Sequence, residues 1–266
     1  MTKVISEIGW NHLGDIELAK EMISASFENG ADFVKFQTWS VDRLKSGPWD
    51  NDGRSEIYKK AELKKEHHFE LFEFSNKLGI EFFTSVFSIE DAALLKDIQT
   101  KNVKIASFES RNLDLLSYCN DNFSNIYLST GTSSVGEIQN SLAFLNKADV
   151  TLLHCVSSYP LKPKNANLPR ILSLKKICNK VGYSDHTEGI SGAIISLEFE
   201  PTVIEKHFTI NQNLAGRDNK FSILPDELKM LKNHIKIRSE MKIAHGDSYL
   251  DCEKEAREIM TGRFNS

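Results

Sequence analysis

Val181-Gly182-Tyr183-Ser184-Asp185-His186-Thr187 and Thr202-Val203-Ile204-Glu205-Lys206-His207-Phe208-Thr209 decide how this chain is read. Each is a short β-branched or apolar run that ends in polar groups, and each polar cluster holds a histidine. Between them, Ile190 to Phe199 has helical character. Strand, helix, strand is the unit of a parallel α/β sheet, in which successive strand ends open on one side. His186 and His207 are therefore expected at one pocket. Neutral imidazoles backed by carboxylates suit a divalent transition metal, and Asp185 and Glu205 are the carboxylates at hand. Taken alone, two histidines at this separation are more simply polar residues at strand ends.

Outward from this centre the same alternation covers the chain. Lys3-Val4-Ile5-Ser6-Glu7-Ile8-Gly9 is a strand, and Asp15 caps a helix with apolar positions Ile16, Ala19, Ile23 and Phe27. Asp32 to Gln37 is the second strand, with Phe33, Lys35 and Gln37 on one face and Val34 and Phe36 on the other. A polar stretch from Thr38 to Glu66 follows. Loops of this length usually carry function, so it is expected to cover a substrate, with a short helix near Glu56 to Lys60. His67 to Leu78 is helical, and five further strand–helix pairs and the last strand and helix complete the chain, the helix starting at Pro225. Eight strands, each followed by a helix, predict a (β/α)8 TIM barrel. An open doubly wound sheet shares the alternation, but no GxGxxG follows the first strand.

The bulk properties exclude several classes. The chain has 266 residues, 40% hydrophobic content and a net charge of -4. Nothing in that balance points to nucleic acid or to a membrane surface, and no apolar run approaches a membrane span. Cys119, Cys155, Cys178 and Cys252 are far apart and form no CxxC pair, which suits free thiols in the cytoplasm.

In a barrel, active sites form at the C-terminal strand ends. Glu7, Asn11 and His12 stand at the first, Lys35 and Gln37 at the second, Thr84 and Ser85 at the third. Lys104, Ser107 and Glu109 stand at the fourth, Ser129 and Thr130 at the fifth, and His154, Ser157 and Tyr159 at the sixth. Lysines inside apolar strands are costly unless a negative charge compensates them. Lys35 and Lys104 could share one anion with the hydroxyls of Ser85, Ser107, Ser129 and Ser184, a phosphate or carboxylate site. A snorkelling surface lysine is the plainer reading of either one alone. A Schiff-base lysine is another possible role for either.

Several motifs, in order, carry a resemblance. Ser6-Glu7-Ile8-Gly9-Trp10-Asn11-His12-Leu13-Gly14-Asp15, Val34-Lys35-Phe36-Gln37-Thr38 and Lys104-Ile105-Ala106-Ser107 open the series. Leu128-Ser129-Thr130-Gly131, Leu153-His154-Cys155-Val156-Ser157-Ser158-Tyr159-Pro160 and the two central stretches complete it. The chain from Val4 to about Lys236 resembles the sialic acid synthase family, which includes N-acetylneuraminate, legionaminate and pseudaminate synthases. The resemblance implies condensation of phosphoenolpyruvate with an open-chain N-acetylated hexosamine, giving a 2-keto-3-deoxy sugar acid and phosphate. It implies a divalent metal, manganese or magnesium, on His186 and His207. It puts phosphoenolpyruvate on Lys35, Ser85, Lys104, Ser107, Ser129, Ser157 and Ser184, and the sugar on Gln37, Glu109, Tyr159 and Asp218. Glu7 or Glu109 would move protons, and the residues do not choose between them. A related barrel synthase acting on another aldose, such as one making a 3-deoxy-octulosonate, and a non-catalytic binding barrel are the rival readings.

Phe108 stands where the family usually has glycine, and Arg217 where proline is common. Residues 1–245 are expected to form the barrel domain, and 246–266 a tail resembling the start of a linker to an antifreeze-like domain. A homodimer is a further expectation. Arg54 and Arg217 are the candidates to replace the cation which that domain brings to the sugar site.

Overall fold

The computed structural model describes residues 1–264. Eight parallel strands close on themselves in chain order: β1 (Lys3–Gly9), β2 (Phe33–Thr38), β3 (Glu81–Val86), β4 (Asn102–Ile105), β5 (Asn125–Ser129), β6 (Asp149–His154), β7 (Val181–Asp185) and β8 (Val203–His207). Pairing of β1 with β8, Ile5 opposite Glu205 and Glu7 opposite His207, closes the barrel and excludes the open sheet. The helices are α1 (Ile16–Glu28), α2 (Arg54–Ala61), α3 (Lys65–Leu78), α4 (Ile89–Asp97), α5 (Leu113–Asn122), α6 (Val135–Leu142), α7 (Arg170–Leu174), α8 (Ser191–Ser196), α9 (Pro225–Met241) and α10 (Lys254–Met260).

Side-chain alternation along each strand builds two separate interiors. Val4, Val34, Phe36, Phe82, Val103, Ile105, Ile126, Leu128, Leu152 and Ile204 face outward and pack against the helices. Ile5, Phe33, Phe83, Leu153 and Val203 face inward, with Tyr127 against them, and plug the lower lumen. Gly182 belongs to this inner face. A Cβ there would lie 2.5 Å from the Val203 carbonyl and 2.6 Å from Leu153, so glycine is needed for β7 to sit this close. Two residues further along the strands the plug gives way to charged groups at Glu7, Lys35 and Glu205 and to hydroxyls at Ser85, Ser129 and Ser184.

The helix ends follow their local chemistry. Asp15 accepts from the Leu18 amide at the start of α1, and Ser134 with Glu137 makes a reciprocal cap on α6. On α1, Met22 joins Ala19 and Ile23 in the core, while Phe27 is exposed rather than buried. The helix after β6 is only Arg170–Leu174, and the helix expected over 190–199 is shorter, Ser191–Ser196 followed by a tight turn. β4 ends at Ile105, and Ser107–Glu109 is a single 3-10 turn rather than strand.

The stretch between β2 and α3 is folded. α2 packs back on the barrel mouth through Tyr58, which stacks on Trp10 at 5.1 Å and meets Trp39 edge-on at 6.0 Å. Gly14, at φ 81°, lets the chain pass beneath it, since a Cβ there would collide with the Lys60 carbonyl. Beyond α9 the chain from 242 to 264 is exposed and carries α10. The last two residues of the expected tail, Asn265 and Ser266, lie outside the described residues. Among the described residues no helix is long and apolar enough to cross a membrane.

Candidate active site

At the C-terminal end of the lumen a cavity opens, lined from β1, β2, β3, β4, β5, β7 and β8 and the turns that follow them. Inward-facing parity selects the side chains. Glu7 lies above Ile5, Lys35 and Gln37 above Phe33, Ser85 above Phe83, and Glu205 and His207 above Val203.

The floor is a buried charge cluster. The Lys35 ammonium lies 2.6 Å from Glu7, donates to the Ser85 hydroxyl at 2.8 Å, and stands 3.8 Å from Glu205. Lys104 donates to both oxygens of Glu205, at 2.9 and 3.0 Å. Ser184 donates to Glu205 at 2.8 Å and Gln37 to Glu7 at 2.8 Å. Both lysines are almost completely buried. The two lysines were expected to depend on a bound anion for compensation, but the protein supplies two carboxylates of its own.

Those two carboxyls are pushed apart in acidity. Burial raises Glu7 to about 7, with Lys35 opposing and Glu205 adding to the rise. Burial would raise Glu205 as well, but the ammoniums of Lys104 and then Lys35 outweigh it and hold Glu205 low. Near neutrality the cluster therefore alternates between zero net charge and one positive charge, with the proton on Glu7.

Beside the lysines, hydroxyls converge on Gly131. A Cβ there would lie 2.5 Å from Ser157 Oγ, 2.8 Å from Ser107 Oγ and 2.9 Å from Cys155 Sγ. Ser157 Oγ is buried and has no hydrogen-bond partner. Ser107 Oγ reaches only the Cys155 thiol, at 3.1 Å. Ser129 lines the same wall. Two ammoniums with under-used hydroxyl donors have the chemistry to receive a small anion.

The ends of β7 and β8 carry the histidines, ring centroids 5.7 Å apart. His186 Nδ1 faces the Val156 carbonyl at 3.0 Å. A carbonyl only accepts, which assigns the proton to Nδ1 and leaves a lone pair on Nε2. Burial, the largest influence on both, lowers His186 to about 4 and holds His207 well below the ordinary imidazole range. His207 Nδ1 is buried without a hydrogen-bond partner, with the Asp218 carboxylate 3.7 Å away. Two neutral, adjacent imidazoles with free lone pairs fit a divalent metal at an open site. Among the described residues no group of three or more His, Cys, Asp or Glu side chains could hold a metal by itself, so water or substrate oxygens would complete the shell.

Tyr159 covers His186 with ring centroids 4.3 Å apart, and Phe221 lies 5.1 Å from His207. Asp218 accepts from the Trp10 indole N–H and is raised to about 6, chiefly by burial.

Three placements differ from the sequence reading. Glu109 accepts from Asn112 at 2.9 Å and is absent from the cavity lining, because the 3-10 turn after β4 carries it outward and presents Phe108 instead. Asp185 does not support the histidines. It faces outward and pairs with Lys206 at 3.1 Å. His154 also faces outward, contacting the Ala166 carbonyl. Glu205 is the residue whose role was missed. It shares the inward parity of His207 in the same strand, a signal present in the sequence, but its lysine partner comes from a distant one. Arg54 pairs with Asp52, and Arg217 is exposed beside Asp218.

Comparison with known proteins identifies the family. The profile of the NeuB family matches residues 22–247. The chain is 36% identical to N,N'-diacetyllegionaminic acid synthase of Campylobacter jejuni, over 95% of this chain and 80% of that protein. It is 37% identical to pseudaminic acid synthase of Helicobacter pylori, over 88% of this chain and 73% of that one. The crystal structure of N-acetylneuraminic acid synthetase from Leptospira borgpetersenii in complex with citrate superposes with a TM-score of 0.87. It covers 99% of this chain and 92% of that chain at 32% identity. With its closed barrel, paired lysines and facing histidines, this chain belongs to the NeuB family.

Proposed function

We propose that this chain is a synthase that joins phosphoenolpyruvate to an open-chain N-acylated amino sugar, giving a 2-keto-3-deoxy sugar acid and inorganic phosphate. The observation that carries the reading is one cavity that combines the chemistry of an anion receptor with two neutral imidazoles 5.7 Å apart. The relatives whose names describe legionaminic, pseudaminic and N-acetylneuraminic acid synthesis support the substrate class.

Lys35 and Lys104 hold the phosphate and carboxylate of phosphoenolpyruvate, with Ser85, Ser107, Ser129, Ser157 and Ser184 as hydroxyl donors. Each lysine is ion-paired, which favours anion binding over attack on a carbonyl. The enol carbon C3 forms a bond to the sugar aldehyde carbon, and the aldehyde oxygen takes a proton. Water adds at C2 and loses one proton, and the C2–O bond to phosphate then breaks as the C2 hydroxyl gives its proton to the leaving phosphate and becomes the 2-keto group. Glu7 is the group for proton movement, since it faces the cavity and is half protonated near pH 7. Gln37 and Tyr159, which line the cavity, and Asp218, 3.7 Å from His207, would meet the sugar hydroxyls. His186 and His207 would hold a divalent metal, manganese or magnesium, which when bound polarises the aldehyde oxygen as a Lewis acid.

The test is incubation with phosphoenolpyruvate, manganese or magnesium, and a panel of aldoses, reading phosphate release and product mass. N-acylated amino sugars should give a product heavier by the pyruvate unit. Turnover confined to unsubstituted aldoses would favour the octulosonate-type reading. No phosphate release with any aldose would overturn the assignment.

A further inference from the structure

We infer that the buried ion pair Asp185–Lys206 is a positioning device that sets the spacing of His186 and His207 from behind the barrel wall. Among the described residues it is the one ion pair outside the lumen with both side chains no more than 1% exposed. It forms at the last rung between β7 and β8, where Asp185 stands opposite Lys206. Each member directly precedes one of the histidines. Strand alternation turns the charged pair outward, toward α8, and the imidazoles inward.

The pair is held on every side. Asp185 accepts from the Tyr183 hydroxyl at 3.0 Å, the Thr187 amide at 2.9 Å and the Thr187 hydroxyl at 3.1 Å. Lys206 also donates to the Thr187 carbonyl. Residues on both sides of His186 are thus tied to the residue before His207. The His186 carbonyl itself accepts from the Leu161 amide at 2.8 Å. Gly192 lets α8 close over the network, since a Cβ there would lie 2.6 Å from Thr187 Oγ1 and 3.0 Å from Asp185 Oδ2.

Stability alone is a weak reason for such a pair. A buried ion pair often contributes no more than apolar residues of the same shape, while it does specify one geometry. The outward positions on the other strands are apolar or carry uncharged polar groups such as Ser6, Thr84 and His154, and among the described residues none of them forms an ion pair. The exception falls at the one rung where two separate strands must present two rings to one point. This inference rests on the proposed pairing of the histidines at a metal, and its first readout does not need the metal.

The charge-neutral double variant Asp185→Asn/Lys206→Met preserves shape and most of the hydrogen bonds. Histidine side-chain 15N spectra of the metal-free protein should show His186 as a single Nδ1–H tautomer in the parent. In the variant the His186 and His207 signals should broaden or report mixed tautomers, while those of the distant His12 and His68 stay in place. A manganese titration followed by electron paramagnetic resonance should then show affinity weakened roughly 10-fold or more. Phosphoenolpyruvate affinity, which depends mainly on Lys35, Lys104 and hydroxyls of the other strands, with Ser184 the one contributor from β7, should change less than about 2-fold. Unchanged histidine signals with altered melting would overturn the inference and leave a purely structural pair. A parent that binds no manganese while its variant still loses the His186 tautomer would instead refute the metal reading alone. Should the double variant fail to fold, Thr187→Val removes a single hydrogen bond to Asp185 and carries the same spectral test. Unaltered His186 and His207 signals there would overturn the inference equally.

Discussion

Lys104→Met separates what the buried charge cluster does for the fold from what it does for the ligand. The Lys104 side chain is 4% exposed and gives both of its close contacts to Glu205, at 2.9 and 3.0 Å. Its removal leaves Glu205 with the Ser184 hydroxyl at 2.8 Å and with Lys35 only at 3.8 Å. An uncompensated buried charge of this kind costs about 3–5 kcal/mol of stability. The ligand loses one charge-assisted contact, about 1.5–3 kcal/mol, which is roughly a 10- to 150-fold rise in the dissociation constant for phosphoenolpyruvate. The double variant Lys104→Met/Glu205→Gln removes the stranded charge and should regain most of the stability without regaining affinity. Urea unfolding gives the first quantity and calorimetric titration of phosphoenolpyruvate into metal-free protein the second. A double variant that binds phosphoenolpyruvate as tightly as the parent would show that Lys104 serves only to neutralise Glu205, and the anion receptor would have to be placed elsewhere.

Gly131→Ala should cost about 1–3 kcal/mol and weaken anion binding, since its methyl would enter the space between Ser157 and Ser107. Gly136→Ala, with open space around it on α6, should be neutral or stabilising in the same thermal melts. Sulfate, whose charge is constant near neutrality, should bind more weakly as pH rises through about 7, because Glu7 loses its proton there and the cluster loses a positive charge. Glu7→Gln should flatten that profile, and a parent profile that is already flat would discount the Glu7 assignment. His12 and His68 are buried and lowered from 6.5 to about 4, chiefly by desolvation. Their neutral forms contribute stability that is complete above about pH 6.5 and is lost as pH falls toward 4. The shift of 6.5 minus 4 corresponds to about 3 kcal/mol for each residue. Urea midpoints between pH 7 and 5 should fall accordingly, and His68→Gln should reduce the slope. Chelator treatment should abolish turnover and manganese or magnesium should restore it, and full activity in a metal-free sample would remove the histidines from that role.

The sequence by itself determined the barrel. Alternating apolar and polar positions place every inward residue two apart, and eight strand–helix repeats leave few other ways to bury both faces. The same parity brings Lys35, Ser85, Lys104, Ser184 and His207 to the lumen, and the helix caps at Asp15 and Ser134 are legible from local chemistry alone. Parity also separates Glu205 from Asp185, although a reading by proximity to the histidines treated the two alike. What only the tertiary structure decided is which charge meets which. Lys104 and Glu205 are 101 residues apart and come from β4 and β8, on opposite sides of the lumen. Their contact depends on barrel closure and strand stagger, quantities to which each strand contributes a fraction and none contributes a signature. Glu109 was lost to the same limit on a smaller scale. One 3-10 turn after β4 ends the alternation, and beyond that point side-chain direction follows from turn geometry rather than from a repeating pattern.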